Sequence, residues 1–205
     1  MKSAAHFLIL AAACWALLAL AAPAGGQAQA QALASTAGEP EAAAAAGLRS
    51  TEAERSPLPG ARLAGQGLLR FLGLEVYQAS LWVAPGFSPR TFAEHPFALE
   101  LEYRRAFQAG SIAERSLQEM RRQAPISEEQ ARRWQQALQQ VLPDVKPGDR
   151  IVGLHRPGKG ARFEQGGRLL GEIADPEFAR LFFGIWLSSA TSAPALRDAL
   201  LAGAG

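Results

Sequence analysis

Residues 62 to 84, RLAGQGLLRFLGLEVYQASLWVA, constrain the fold more than any other stretch. β-Branched, aromatic and aliphatic residues alternate with small or polar ones on either side of Gly73, so the spacing predicts two strands joined by a tight bend at that glycine. On the second strand Glu75, Tyr77, Ala79, Leu81 and Val83 share one face, and Val76, Gln78, Ser80 and Trp82 share the other. A tyrosine hydroxyl is thereby set within apolar surface, and Arg70 ends the preceding strand. A guanidinium and a phenol on paired strands can hold one anionic or carbonyl oxygen together. Two plainer outcomes stand beside that one. Arg70 points to solvent or pairs with Glu75, and Tyr77 is a core tyrosine with a satisfied hydroxyl.

The first 30 residues read as a targeting segment. Lys2 and His6 precede the apolar run FLILAAACWALLALAA, and the small-residue site Ala28-Gln29-Ala30 follows Pro23, the pattern of a cleavable secretory signal. The run is short for a membrane span and no basic cluster follows it, which ranks a transmembrane anchor second. Cys14, the only cysteine, is followed by WALLALAA rather than the polar start expected after a lipidated residue. The expected mature chain, from about residue 31, therefore has no thiol for a disulfide, a nucleophile or a metal, and its destination is the periplasm or the exterior. Residues 31–59 are rich in Ala, Gln, Ser, Glu and Pro. They cannot bury enough surface to offset ordering, and are read as a flexible leader before a domain at 60–205.

The remaining pattern is mixed. Phe97, Leu99, Leu101 and Tyr103 alternate with Ala98, Glu100, Glu102 and Arg104, a half-buried strand expected to pair antiparallel with 74–84 and to bring Tyr103 towards Tyr77. A first helix opens at Gly110 and Ser111 with Ala113, Leu117, Met120 and Ala124 on its apolar face and Glu114, Glu119, Arg121 and Arg122 mostly outside it. A second is capped by Ser127 with Gln130 completing a capping box. Strands follow at 150–155, 161–164 and 168–173, the last two joined at Gly166-Gly167. Asp175 and Pro176 open a helix apolar on nearly all sides, and 195–201 is a last short helix. The fold class is α+β, an antiparallel sheet with helices.

Familiar catalytic and binding patterns are missing from the sequence. Gly158 and Gly160 belong to no phosphate-loop motif, and His95 and His155 lack partners at metal-ligand spacing. Ser188, Ser189, Thr191 and Ser192 sit in a link between helices, and Asp144 and Asp149 flank a Pro-Gly turn, where turn chemistry explains both. With 21 Lys+Arg against 19 Asp+Glu, a net charge of +2, there is no basic run to follow phosphates, so nucleic acid is excluded as a partner. Neither a cofactor nor a metal is expected.

The runs GQGLLRFLGLEVYQASLWV, FALELEYRR, EEQARRWQQALQQVLPDVKPGDRIVG and FFGIWLSSATSAPALRDALL together resemble the bacterial chalcone isomerase-like family over about residues 60 to 202. The resemblance implies an open-faced β-sandwich, a large antiparallel sheet covered by helices on one side, with a ligand cleft between. It also implies three possible roles: cyclisation of chalcones, fatty-acid binding without chemistry, and non-catalytic partnership with another protein. In the enzymes an arginine after a GxGx segment stabilises the enolate while a hydroxyl residue on the next strand polarises the ketone. The hydroxyl position falls on Tyr77, but the arginine position falls on Leu69, one residue before Arg70. A one-residue shift reverses the face unless a bulge near Gly67 restores it.

Fatty-acid-binding members hold a carboxylate with an arginine and a tyrosine, and this resemblance makes Arg70, Tyr77, Tyr103 and Arg104 the ligand-binding candidates. The leading expectation is an exported, non-catalytic carrier of a fatty acid or similar amphipathic carboxylate. The second is an isomerase closing a ring by oxa-Michael addition, with Arg70 and Tyr77 catalytic. The third is a structural or partner-binding module whose protein partner is unspecified.

Overall fold

A computed structural model describes residues 56–204. The leader, including Lys2, Cys14 and most of 31–59, lies outside the described residues. Six strands, β1 (Arg62–Phe71), β2 (Leu74–Val83), β3 (Phe97–Tyr103), β4 (Arg150–Arg156), β5 (Gly160–Gln165) and β6 (Arg168–Ile173), form one antiparallel sheet in sequence order. A 3-10 segment, Pro89–Glu94, follows β2. Four helices complete the domain: α1 (Ala109–Met120), α2 (Glu128–Val141), α3 (Pro176–Leu187) and α4 (Pro194–Leu201). Among the described residues no helix is long and apolar enough to cross a membrane.

Local chemistry sets the boundaries. Leu72 and Gly73 both have positive φ, 50° and 78°, so β1 and β2 are joined by the two-residue turn whose twist matches paired strands. Ser127 accepts from the Gln130 amide while the Gln130 side chain accepts from the Ser127 amide, the capping box the sequence predicts. Asp175 likewise accepts from the Phe178 amide at the start of α3 and also takes the indole N–H of Trp134, 2.8 Å away, tying α2 to α3. Asp144 accepts from the Ala109 amide at the start of α1, and Asp149 from the Lys146 amide in its turn. These contacts give the aspartates capping and turn roles, and Thr191, accepting from Ala193 and donating to Ile185, similarly shapes the α3–α4 link.

One face of the sheet is dry and the other wet. Ala79, Leu81 and Val83 of β2, with Phe97, Leu99, Leu101 and Tyr103 of β3, join Phe163 and the helix side chains Leu117, Trp134, Leu138, Phe178, Leu181, Phe183 and Leu200 in the main core. The opposite face carries a small cluster around Trp82, Ala98, Val152 and Leu154. Beyond it run ion pairs: Glu102 with Arg104 and Arg150, Glu172 with Arg156 and Arg162, and Glu164 with Arg162. Exposed pairs of this kind contribute little individually.

Helix α4 lies directly on β1. A Cβ on Gly65 would stand 2.1 Å from the Ala199 carbonyl oxygen and 2.6 Å from that of Leu200, and one on Gly67 would stand 2.5 Å from Leu196 Cδ1. The register slips between Leu63 and Gly65, leaving Ala64 as a bulge whose carbonyl accepts from the Gly203 amide at 2.8 Å. The GxG segment is thus a helix seat. At the other side of the sheet, Gly153 of β4 leaves room for the ring of Phe183, whose Cε1 would touch a Cβ there at 3.0 Å. Phe183 packs edge-on against Phe97 and His155, and His155 stacks on Phe97 at 4.7 Å while its Nδ1 donates to the His95 carbonyl, 2.8 Å away.

Two stability measurements follow. Gly65→Ala must displace backbone, so urea unfolding should reveal a loss of about 1–3 kcal/mol; a loss under about 0.5 kcal/mol contradicts the helix seat. Burial lowers the His155 pKa, partly opposed by its bond to the His95 carbonyl. The unfolded chain takes up a proton near pH 6.5 where the folded one resists, so stability is full above that pH and falls below it. His155→Gln should flatten the dependence between about pH 8 and 5, and an unchanged slope rejects this assignment.

Candidate ligand-binding site

A cavity of about 510 Å³ opens between the dry face of the sheet and the helices. Its floor is Leu69, Val76, Tyr77, Leu99, Leu101, Tyr103, Ile151 and Phe163. Its roof is Ile112, Arg115, Ser116 and Glu119 of α1, Phe182, Phe183 and Trp186 of α3, and Leu196 of α4. Phe71 and Leu74, beside the β1–β2 turn, border it, as do Arg105 and Ser111. Most of the wall is aliphatic or aromatic. Volume and lining match the range, about 300–1,000 Å³, in which small amphipathic ligands are held.

The two tyrosines come together through strand register. Tyr77 and Tyr103 are directly opposed on β2 and β3, with ring centroids 6.1 Å apart and planes at 73°. The Trp186 indole N–H donates to the Tyr77 hydroxyl at 2.9 Å, which leaves that hydroxyl's own proton free to be donated. Tyr103 is buried beside it. Burial pushes both phenols well above their ordinary pKa; at Tyr77 the Trp186 bond opposes this, while Tyr103 and Glu119 add to it and Arg115 relieves it slightly. Both are neutral donors across the physiological range.

The sequence-predicted arginines are elsewhere. Arg70 lies in an exposed ion pair with Glu75 at 2.9 Å, and Arg104 pairs with Glu102 on the wet side. The pairing runs unbroken from Gly67↔Ala79 to Leu69↔Tyr77, so no bulge near Gly67 turns Arg70 inward. Leu69 holds the position opposite Tyr77 and lines the cavity. The register slips one step later, between Leu69 and Arg70, leaving Val76 unopposed. This bulge breaks the expected alternation: Val76 joins the cavity wall and Glu75 turns to solvent beside Arg70.

The cations that border the cavity are Arg105, just after β3, and Arg115, on α1. Arg115 pairs with Glu119, and Arg122 approaches the second oxygen of Glu119 at 3.6 Å. Glu119 is buried, contrary to the expectation that it lies outside the helix's apolar face; Arg115 pairs with one of its oxygens, and the other, which Arg122 only approaches, has no hydrogen-bond partner among the described residues. Arg105 forms no ion pair among the described residues. A helix-face reading could have singled out Arg115, since it shares a face with Glu119 one turn on; nothing local singled out Arg105.

A family model described as chalcone isomerase-like matches residues 46–202. No curated protein matches the sequence. Among solved structures, the crystal structure of a fatty-acid binding protein from Arabidopsis thaliana is similar, with 13% identity and a TM-score of 0.56 over 71% of this chain and 89% of that one. At such identity the likeness is one of fold.

Tyr77 and Tyr103 are the only tyrosines in the chain, so an alkaline absorbance titration reads these two phenols alone. The folded protein should release no phenolate near pH 10, the ordinary midpoint for tyrosine. The unfolded chain does ionise there, so stability is full below about pH 10 and declines above it. A normal titration in a protein that remains folded contradicts the buried geometry.

Proposed function

Because the chain belongs to the chalcone isomerase-like family, we propose that it is an exported, non-catalytic carrier of one fatty acid or similar amphipathic carboxylate, held between sheet and helices. The observation that carries this reading is the polarity gradient of the cavity. Tyr77 and Tyr103 face one another with Arg105 two residues beyond Tyr103 and Arg115 close enough to act on Tyr77, while Ile151, Phe163 and Phe182 supply apolar wall suited to a hydrocarbon tail. Two neutral phenols and a guanidinium are donors only towards an anionic oxygen, and an ionised carboxylate can accept from all of them. Glu119 outweighs Arg115 at Tyr77, so Arg105, which is unpaired among the described residues, is the cation left for the carboxylate. The similar solved structure is that of a fatty-acid binding protein, which supports the reading at the level of fold. Export rests on the signal-like pattern of residues 1–30.

Ring closure of a chalcone is the weaker alternative. It needs a cation facing the ketone from β1, and the residue on the Tyr77 face there is Leu69. A binding protein has no such requirement.

Native mass spectrometry of the full chain with organic extraction, followed by titration with palmitate, tests the proposal. One acyl chain per protein is expected. Arg105→Ala and Tyr77→Phe should each weaken palmitate by about tenfold, as the loss of a hydrogen bond to a charged group implies, while Arg105→Ala should leave the methyl ester nearly unaffected. Arg70→Ala and Arg104→Ala should bind as the parent does. An empty protein that refuses palmitate rejects the carrier, and turnover of a chalcone above its spontaneous rate would favour the isomerase.

A further inference from the structure

The β1–β2 turn is the most apolar protrusion of the described residues. Phe71, Leu72 and Leu74 are 57%, 83% and 51% exposed, and the fourth large exposed apolar side chain, Leu169, is on β6 at the other edge of the sheet. Leu72 is also the only non-glycine residue with positive φ among the described residues. That turn type favours Asn or Gly at this position, because glycine has no Cβ and asparagine's short polar side chain tolerates the left-handed backbone, whereas leucine's is strained there. The fold gains nothing from the leucine, which packs on no core cluster and does not line the cavity. Its neighbours Phe71 and Leu74 do border the cavity.

Arginines stand at the same end, Arg70 beside Phe71 in its pair with Glu75, and Arg104 and Arg105 after β3. The Arg104 amide donates to the Val76 carbonyl at 2.9 Å, which brings the Arg104–Arg105 pair alongside the start of β2. Glu102 is shared by Arg104 and Arg150, Glu119 by Arg115 and Arg122, and Arg105 is unpaired among the described residues. Apolar side chains projecting from a rim of guanidiniums fit a surface that is negative outside and hydrocarbon within.

We infer that the β1–β2 tip docks on an anionic lipid layer, Leu72 inserting among the acyl chains and the arginines meeting the headgroups, so that an acyl ligand passes between layer and cavity by way of Phe71 and Leu74. This builds on the carrier reading and supplies its route of loading.

Leu72→Asn separates the two. Asparagine suits the turn, so the variant should fold at least as stably as the parent, and since Leu72 lies outside the cavity it should bind palmitate in solution with unchanged affinity. The parent should co-float with phosphatidylcholine vesicles containing phosphatidylglycerol, less with pure phosphatidylcholine, and less at high salt. The variant should bind the anionic vesicles about tenfold more weakly, the scale expected for withdrawing one leucine from hydrocarbon. Docking is overturned if the parent does not float although it binds palmitate, in which case the carrier stands alone. It is overturned too if Leu72→Asn floats as well as the parent, or if the variant only abolishes a concentration-dependent dimer, which would make the tip a contact between copies. Flotation sensitive to Leu72 in a protein that refuses palmitate would sustain the docking and remove the carrier.

Discussion

The space above the middle of the sheet exists because helices are clamped to the strands on both sides of it. On one side Gly65 and Gly67 let α4 rest on the backbone of β1, closer than any side chain permits. On the other, α3 presses Phe183 onto Gly153 of β4 and packs against β5. Helix α1 packs on α2 and α3, and roofs the gap with Ile112, Arg115, Ser116 and Glu119. An apolar cavity is costly to a fold unless something packs within it, since its lining atoms otherwise lose contacts. Rigid seats on both flanks keep the layers from collapsing onto β2 and β3, and a ligand's hydrocarbon would supply those contacts.

Polarity in the cavity is arranged with the same economy. The tyrosines are brought opposite one another by register, and burial keeps them protonated. Trp186 uses up an acceptor position of Tyr77 and leaves its proton available, so the pair can donate without any change of charge. Positive charge stays at the edge, on Arg105 and Arg115, where solvation of the guanidinium is retained. In the carrier we propose, donors inside and cations at the rim would meet an anionic oxygen attached to an apolar body.

Much of this was legible in the sequence. Period-two alternation and the bend at Gly73 located the first hairpin, and the pairing of 74–84 with 97–103 was enough to bring Tyr77 towards Tyr103. The capping box at Ser127 and the Asp175-Pro176 start of α3 were readable because caps are local. The arginines were not readable. Whether Arg70 faces in depends on a bulge's location, and the bulge at Val76 falls one step beyond the residue that mattered. Glu119 defied its polar character because its partners, Arg115 and Arg122, cover it from the same helix surface and its end. The meaning of Gly65 and Gly67 lay in Leu196, Ala199 and Leu200, far along the chain, and no local pattern carries such a contact.

The most direct test of the central claim is a crystal structure with a fatty acid brominated at its terminal carbon, because anomalous scattering locates the tail independently of the head. The account requires the bromine inside the cavity near Ile151 and Phe163, with the carboxylate between Tyr77 and Tyr103 and within reach of Arg105 or Arg115. A bromine outside the cavity, or a carboxylate at Arg70 or Arg104 with both tyrosines unengaged, would contradict it.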